Sequence, residues 1–399
     1  MSKNSKRAHI YYSLLQCAYW FGGCIVISFS AVYLKGIGLN NTQVGVVTAL
    51  GDIGGLIVIT LSSHYIDRKK GASVFVISEG TLAILAASLI FLLISKNALL
   101  SAACYILCIT SSELLNSTNT NIYITLGQSG LPVNFGFSRG LGSLSYAASS
   151  AIAGRAAESF FVTALPVLAI FYTLLQAVPV IILHMALRPK AVSQASAQEE
   201  RALSLRSFLS SNWDFCLLLT GIAFIFAANN PLSTFTVNIV GNVGGRTADI
   251  GYLLSFVGLI EIPAMLLFKS LKKRFGVSRI LVFAVLSFLL KISAITLAHS
   301  VRQLFLAFSL HAISFGLYTP AIVDYIYEII PEKDAAKGQS LAAAMVTGSS
   351  IVCKPLLGLL YDAVPVRQVL LVTTGIMTVG ITLFLAGIRS ASVKGKNCF

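Results

Sequence analysis

The chain has 399 residues, of which 56% are hydrophobic and 11% charged, where an ordinary soluble domain carries roughly 25% charged residues. That composition excludes a water-soluble globular protein and implies one that lives in a lipid bilayer. The formal net charge of +14 would suit a nucleic-acid binder by itself, but the placement of the bases, described below, excludes that class.

A bilayer crossing needs about 20 mostly apolar residues. On that rule the sequence predicts helices over 11–34, 43–65, 73–95, 98–125, 136–157 and 161–187. A second set follows over 210–235, 248–268, 280–299, 303–329, 338–361 and 368–388. The fold class is therefore all-α membrane protein, with two six-helix halves, 1–187 and 209–399. Between them lies 188–208, polar, charged and low in complexity, with the composition of a solvated linker. The N-terminus has signal-peptide polarity, with Lys3, Lys6 and Arg7 ahead of an apolar run from Tyr11. That run is too long for a signal core and reads as an uncleaved first span.

Lys and Arg set the orientation of such a chain. With the N-terminus cytoplasmic, twenty of the 29 bases fall in cytoplasmic segments. Only Lys35, Lys96, Arg246, Arg302 and Arg367 fall outside, and Arg139, Arg155, Lys291 and Lys354 fall inside spans. The basic balance thus reports membrane topology, with both termini cytoplasmic, and no nucleic-acid partner. The halves also share a register. Adding 206 carries Gly38, Gly45 and Arg68 onto Gly244, Gly251 and Arg274. A duplicated bundle is the mark of a two-halved transporter.

Span 2 carries Asp52 and ends in Asp67-Arg68-Lys69-Lys70-Gly71. This loop resembles the Gly-x-x-x-Asp-Arg-x-Gly-Arg-Lys signature of the major facilitator superfamily, with Ser63 for its first Gly and Gly71 one place late. A degenerate copy, Lys269 to Gly276, has Lys in place of the acid. The resemblance covers nearly the whole chain and implies twelve helices in two pseudo-symmetric bundles. It also implies alternating access, with the loop of Asp67 and Arg68 as a conformational latch. These spans face each other across the halves in the superfamily, so Asp52 and Lys354, both roughly 10–14 Å below the outer ends of spans 2 and 11, are expected to pair as an outer gate.

Ionisable groups inside a membrane are costly and usually functional. Asp52 in span 2 and Glu79 in span 3 read equally as structural pairs. Span 4 places Glu113, Asn116, Ser117, Thr120 and Asn121 at i, i+3, i+4, i+7 and i+8, one polar face that lines a wet cavity or another polar helix. Span 5 opens with Arg139, Gly142 and Tyr146. These fill a pattern that resembles the proton-linked sugar and nucleoside symporters around lactose permease. The resemblance implies that Arg139 forks onto substrate hydroxyls and that Tyr146 stacks on a ring, the alternative being a snorkelling arginine. In span 7, Asn229 and Asn230 precede Pro231, which is expected to break the helix. The two amides bind solute or glue helices.

The Glu261-Ile262-Pro263 run of span 8 resembles the nucleoside and phenylpropionate permease branch. Lys291 in span 9 and His311 in span 10 keep the Arg-to-His spacing of lactose permease, while Ser314 replaces its proton-carrying acid. Glu261, Lys291 and His311 are therefore the candidate proton-coupling set, with a direct Glu261–Lys291 pair in one state. Six of the seven cysteines lie in apolar runs, and Cys104 with Cys108 makes no metal site. No nucleophile–base set, phosphate loop or cofactor motif appears, so no enzyme and no cofactor are expected. The sequence reads as a monomeric cell-membrane transporter of a sugar or nucleoside, driven by protons. The alternatives are efflux of amphipathic compounds and, from another class, a non-transporting receptor or scaffold.

Overall fold

The structure is a computed structural model that describes residues 3–68, 73–187, 208–209 and 212–393. Most of the expected linker and the loop residues Lys69, Lys70 and Gly71 lie outside that set. The regular elements of the described residues are all helical. The first half contains α1 (Lys3–Gly23), a π-turn (Cys24–Ser28), α2 (Ser30–Gly36), α3 (Asn41–Arg68), α4 (Ser73–Ile94), α5 (Ala98–Gln128), α6 (Phe135–Ser159) and α7 (Ala164–Leu187). The second contains α8 (Trp213–Thr234), α9 (Thr236–Asn242), α10 (Thr247–Phe275) and α11 (Val277–Leu297). It ends with α12 (Val301–Ser309), α13 (His311–Ile329), α14 (Glu332–Ala363) and α15 (Val366–Val393).

Among the described residues, eleven helical stretches are long and apolar enough to cross a membrane. The twelfth crossing is α6, whose 25 residues are long enough but rich in Ser and Gly and interrupted by Arg139 and Arg155. A helix with that composition cannot face lipid along its length. It packs against α1 and α7.

The 206-residue register reappears in the backbone. Phe29 and Phe235 interrupt the first helix of each half with nearly the same dihedrals, φ −99° and −96°. Gly38 and Gly244 then turn the chain with φ of 99° and 76°, a region that disfavours a Cβ. The next helix opens in both halves on the same bond. The Asn40 N–H donates to Gln43 Oε1 at 3.0 Å, and the Arg246 N–H to Asp249 Oδ2 at 2.7 Å. These are the back-bonds of a capping box.

Helix pairing repeats as well. In the first half α1 lies on α6 and α7, and α4 on α5 and α7. In the second, α8 lies on α14 and α15, and α11 on α13 and α15. Without a hydrophobic driving force between membrane helices, close approach depends on small residues. A Cβ built on Gly221 of α8 would lie 2.6 Å from the Phe384 backbone nitrogen of α15, so these helices meet backbone to backbone.

The expected break at Pro231 is corrected. Helix α8 runs through Pro231 to Thr234. The Phe235 N–H still donates to the Pro231 carbonyl at 2.8 Å. Proline removes one bond, its own N–H to the Ala227 carbonyl, and its ring crowds that carbonyl, yet the helix continues to Thr234. The interruption falls at Phe235, the repeat of Phe29.

Two compact units emerge, Met1–Ser196 with Arg246–Gly258, and Ala197–Gly245 with Leu259–Phe399. The start of α10 joins the first unit through a local chemical need. The capping box of α3 has Asn40 Oδ1 to accept the Gln43 N–H at 2.8 Å. Arg246 holds the matching position and has no acceptor. Glu158, at the end of α6, supplies one: its Oε2 accepts the Ala248 N–H at 2.8 Å, and its Oε1 pairs with Arg246 Nη1 at 3.3 Å.

Candidate functional site

In the second unit four polar side chains, Asn229, Lys291, His311 and Glu261, form one chain of hydrogen bonds. Lys291 of α11 is only 2% exposed. Its Nζ donates to Asn229 Oδ1 of α8 at 2.7 Å and lies 3.2 Å from His311 Nδ1 of α13. His311 Nε2 lies 2.7 Å from Glu261 Oε1 of α10. An ammonium group can only donate. With Lys291 charged, Nδ1 of His311 accepts, its proton sits on Nε2, and Nε2 donates to the Glu261 carboxylate. The chain then reads cation, neutral ring, anion, with every link satisfied. Glu261 is its more solvent-reached end, 23% exposed against 13% for His311 by side chain.

Glu261, Lys291 and His311 thus lie in one hydrogen-bonded chain. The ring of His311 stands between Glu261 and Lys291 where a direct pair is expected. Phe315 stacks on that ring at 5.2 Å, and Lys291 Nζ lies 4.9 Å from the centroid of Phe288. Of the two amides, Asn229 joins the chain, and Asn230 Nδ2 donates to the Val346 carbonyl of α14 at 3.2 Å. Ser314 is fully buried one turn from His311.

In the first unit the centre is Arg139. Its guanidinium lies over the Trp20 ring, 3.8 Å from the centroid, and Nη1 donates to Ser143 Oγ at 2.8 Å. A stacked guanidinium keeps its N–H donors in its own plane, presented edge-on to hydroxyls. Trp20 is held in turn by a stripe on α1. Its Nε1 donates to Gln16 Oε1 at 3.2 Å, Gln16 Nε2 to Tyr12 OH at 2.7 Å, and Tyr12 OH to the Asn119 carbonyl at 3.3 Å. Tyr146 meets Trp20 edge-on at 6.5 Å and shares a 2.9 Å hydrogen bond with Ser28. Gly142 makes the approach possible, since a Cβ there would lie 2.5 Å from Trp20 Cδ1.

The span 4 stripe divides. Asn116 and Thr120 are exposed, and Glu113, Ser117 and Asn121 are half-buried. Glu113 packs at the contact of α5 with α3, where a Cβ on Gly55 would lie 2.8 Å from its Cβ. Asn119, outside the stripe, is 1% exposed, and its amide has no hydrogen-bond partner among the described residues. Asp52 and Lys354 are half-buried on α3 and α14, in different units. Asp67 and Arg68 close α3, and their side chains lie outside the described residues.

Sequence reasoning missed Trp20 and Gln16, although Tyr12, Gln16 and Trp20 at i, i+4 and i+8 carry a helical signal. It also missed the partners of two charged groups. His184 Nδ1 of α7 lies 2.7 Å from Glu79 Oε1, which makes Glu79 one member of a pair. Lys272, in the loop copy that lacks its acid, reaches Asp324 Oδ2 of α13 at 2.7 Å.

The comparisons with known proteins bear on the same architecture. A family model described as the MFS_1 like family matches residues 12–372. No curated protein matches the chain. Among solved structures, the nucleoside transporter NupG is 14% identical, with 97% of this chain and 100% of that one covered at a TM-score of 0.78. A bacterial homologue of the human lysosomal transporter Spinster, inward-facing and unoccupied, is 13% identical, with 99% and 98% covered at 0.69. A peptide transporter POT is 12% identical, with 96% and 94% covered at 0.68. At these identities the likeness is one of fold.

Proposed function

The chain belongs to the MFS_1-like family of membrane transporters, and from that premise we propose that it is a proton-coupled symporter of a small polar solute of the sugar or nucleoside class. The observation that carries the reading is the buried chain Asn229–Lys291–His311–Glu261. A fixed ion pair needs no imidazole between its members, whereas a proton-controlled one gains from it.

The reading turns on what a proton does to that chain. On Glu261 it cancels the anion that balances the Lys291 ammonium and adds an O–H donor, while the other carboxyl oxygen can still accept from His311 Nε2. The buried ammonium is then left without its counter-charge. The chain is weakened at its Glu261 end, which frees hydrogen-bonding groups for a solute. Buried half-satisfied networks are unstable, so loading the proton and rearranging the site become one event. Arg139 on Trp20, with Tyr146 beside it, supplies a planar fork and aromatic surface suited to a hydroxylated ring. Asn116, Thr120 and Asn121 offer further polar contacts, with Glu113 in reserve as a carboxylate. The loop of Asp67 and Arg68, and the charges of Asp52 and Lys354, serve the conformational cycle in this reading.

Glu261→Gln tests it in vesicles with an imposed proton gradient. Gln keeps an acceptor for His311 and cannot cycle a proton. Gradient-driven accumulation should vanish while solute binding and exchange across the membrane persist. Accumulation by Glu261→Gln with normal proton uptake would remove Glu261 from coupling. Efflux of hydrophobic cations, with no response to sugars or nucleosides, would overturn the substrate class.

A further inference from the structure

A second candidate binding site lies away from all of these residues. Along the seam where α11 packs on α15 runs an open groove of ≈ 530 Å³. On α11 it is lined by Arg279, Val282, Phe283 and Leu286, spaced i, i+3, i+4 and i+7 on one helix face. On α15 it is lined by Leu385, Ile388 and Arg389. Arg279 is the third residue of α11, and Arg389 lies near the end of α15, so the two arginines share one mouth of the groove. The apolar wall runs from them about 10 Å into the span. Phe283 and Leu286 are 55% and 44% exposed, an apolar surface that within a membrane faces acyl chains. Both arginines are exposed, neither has a hydrogen-bond or ion-pair partner among the described residues, and no carboxylate lines the groove.

We propose that this groove binds one anionic phospholipid, its phosphate between Arg279 and Arg389 and an acyl chain along Phe283, Leu286 and Leu385. Paired unpartnered guanidinium groups at a membrane interface match a phosphate diester in charge and in fork geometry. A free phosphate would use the arginines and leave the apolar wall idle. The bias of the bases assigns this mouth to the cytoplasmic leaflet, where anionic lipids are concentrated.

The test is native mass spectrometry of the delipidated full chain with dioleoyl phosphatidylglycerol or dioleoyl phosphatidylcholine. The wild type should retain one phosphatidylglycerol in preference to phosphatidylcholine. Arg279→Gln/Arg389→Gln should weaken that retention by about 10- to 30-fold. A control, Lys269→Gln/Lys273→Gln, removes two exposed bases on α10 and should leave it unchanged. Circular dichroism and a monodisperse gel-filtration peak establish that both double variants fold. Equal lipid retention by wild type and the arginine variant overturns the proposal. So does equal loss in the lysine control, which would mean general charge attraction. Displacement of the lipid by inorganic phosphate, and not by chloride at matched ionic strength, would reduce the site to a phosphate site and overturn the acyl seat.

Discussion

Arg139 shows how one residue gains a role from its neighbours. A lone arginine near a helix end snorkels to the interface. Here Trp20 takes its face and Ser143 one of its donors, so the guanidinium is held in one orientation. Arg139→Lys keeps the charge and loses both the plane and the fork. Losing one charge-assisted hydrogen bond costs about 1.5–3 kcal/mol, so transport should fall roughly 10- to 100-fold with unchanged membrane expression. Uptake assays beside surface quantification decide it, and near-normal uptake would remove Arg139 from the site. Gly142→Ala tests the same stack from the other side. The added methyl would collide with Trp20 and should lower transport with Arg139 untouched. If it does not, the stack is incidental to binding.

At the scale of the element, the start of α10 is the informative case. Its N-cap position holds Arg246, which cannot accept the orphan N–H groups of a first turn. Glu158 accepts one from across the unit and neutralises Arg246 at the same time. Loss of an N-cap acceptor costs about 1 kcal/mol, so Glu158→Ala should lower the thermal midpoint in detergent, and Glu158→Gln, which retains an acceptor, should lower it less. Equal midpoints for wild type and Glu158→Ala would mean that water caps the helix as well as Glu158 does. The low hydropathy of α6 belongs to the same scale. A helix that carries Arg139, Gly142, Tyr146 and Glu158 on its working faces cannot also be uniformly apolar.

For the molecule as a whole, the bases predict an orientation that labelling can read. With both termini cytoplasmic, Asn242→Cys, exposed at the end of α9, should react with a membrane-impermeant maleimide in intact cells. Ser193→Cys, in the linker sequence, should react only after permeabilisation. The reverse pattern would invert the topology. The duplication has a consequence at this scale too. The two units share a backbone register, down to Phe29 with Phe235 and Gly38 with Gly244, yet their polar interiors differ. One is built on a stacked arginine, the other on a lysine–histidine–glutamate chain. One repeated scaffold thus carries two different sets of polar side chains.

What the sequence by itself determined is what local interactions decide. Span number and position follow from apolar run length, and the repeat from a constant offset. It also singled out Glu261, Lys291 and His311, because a membrane tolerates few charges and spacing limits which can meet. The tertiary structure alone decided who bonds to whom. His311 reaches Glu261 across 50 residues, Lys291 reaches Asn229 across 62, and His184 reaches Glu79 across 105. Each link depends on the rotation and depth of two packed helices. In a soluble helix the apolar stripe reveals that rotation. In a bilayer the lipid-facing and protein-facing sides are both apolar, so the spacing of Tyr12, Gln16 and Trp20 marks one helix face but not that this face meets Arg139.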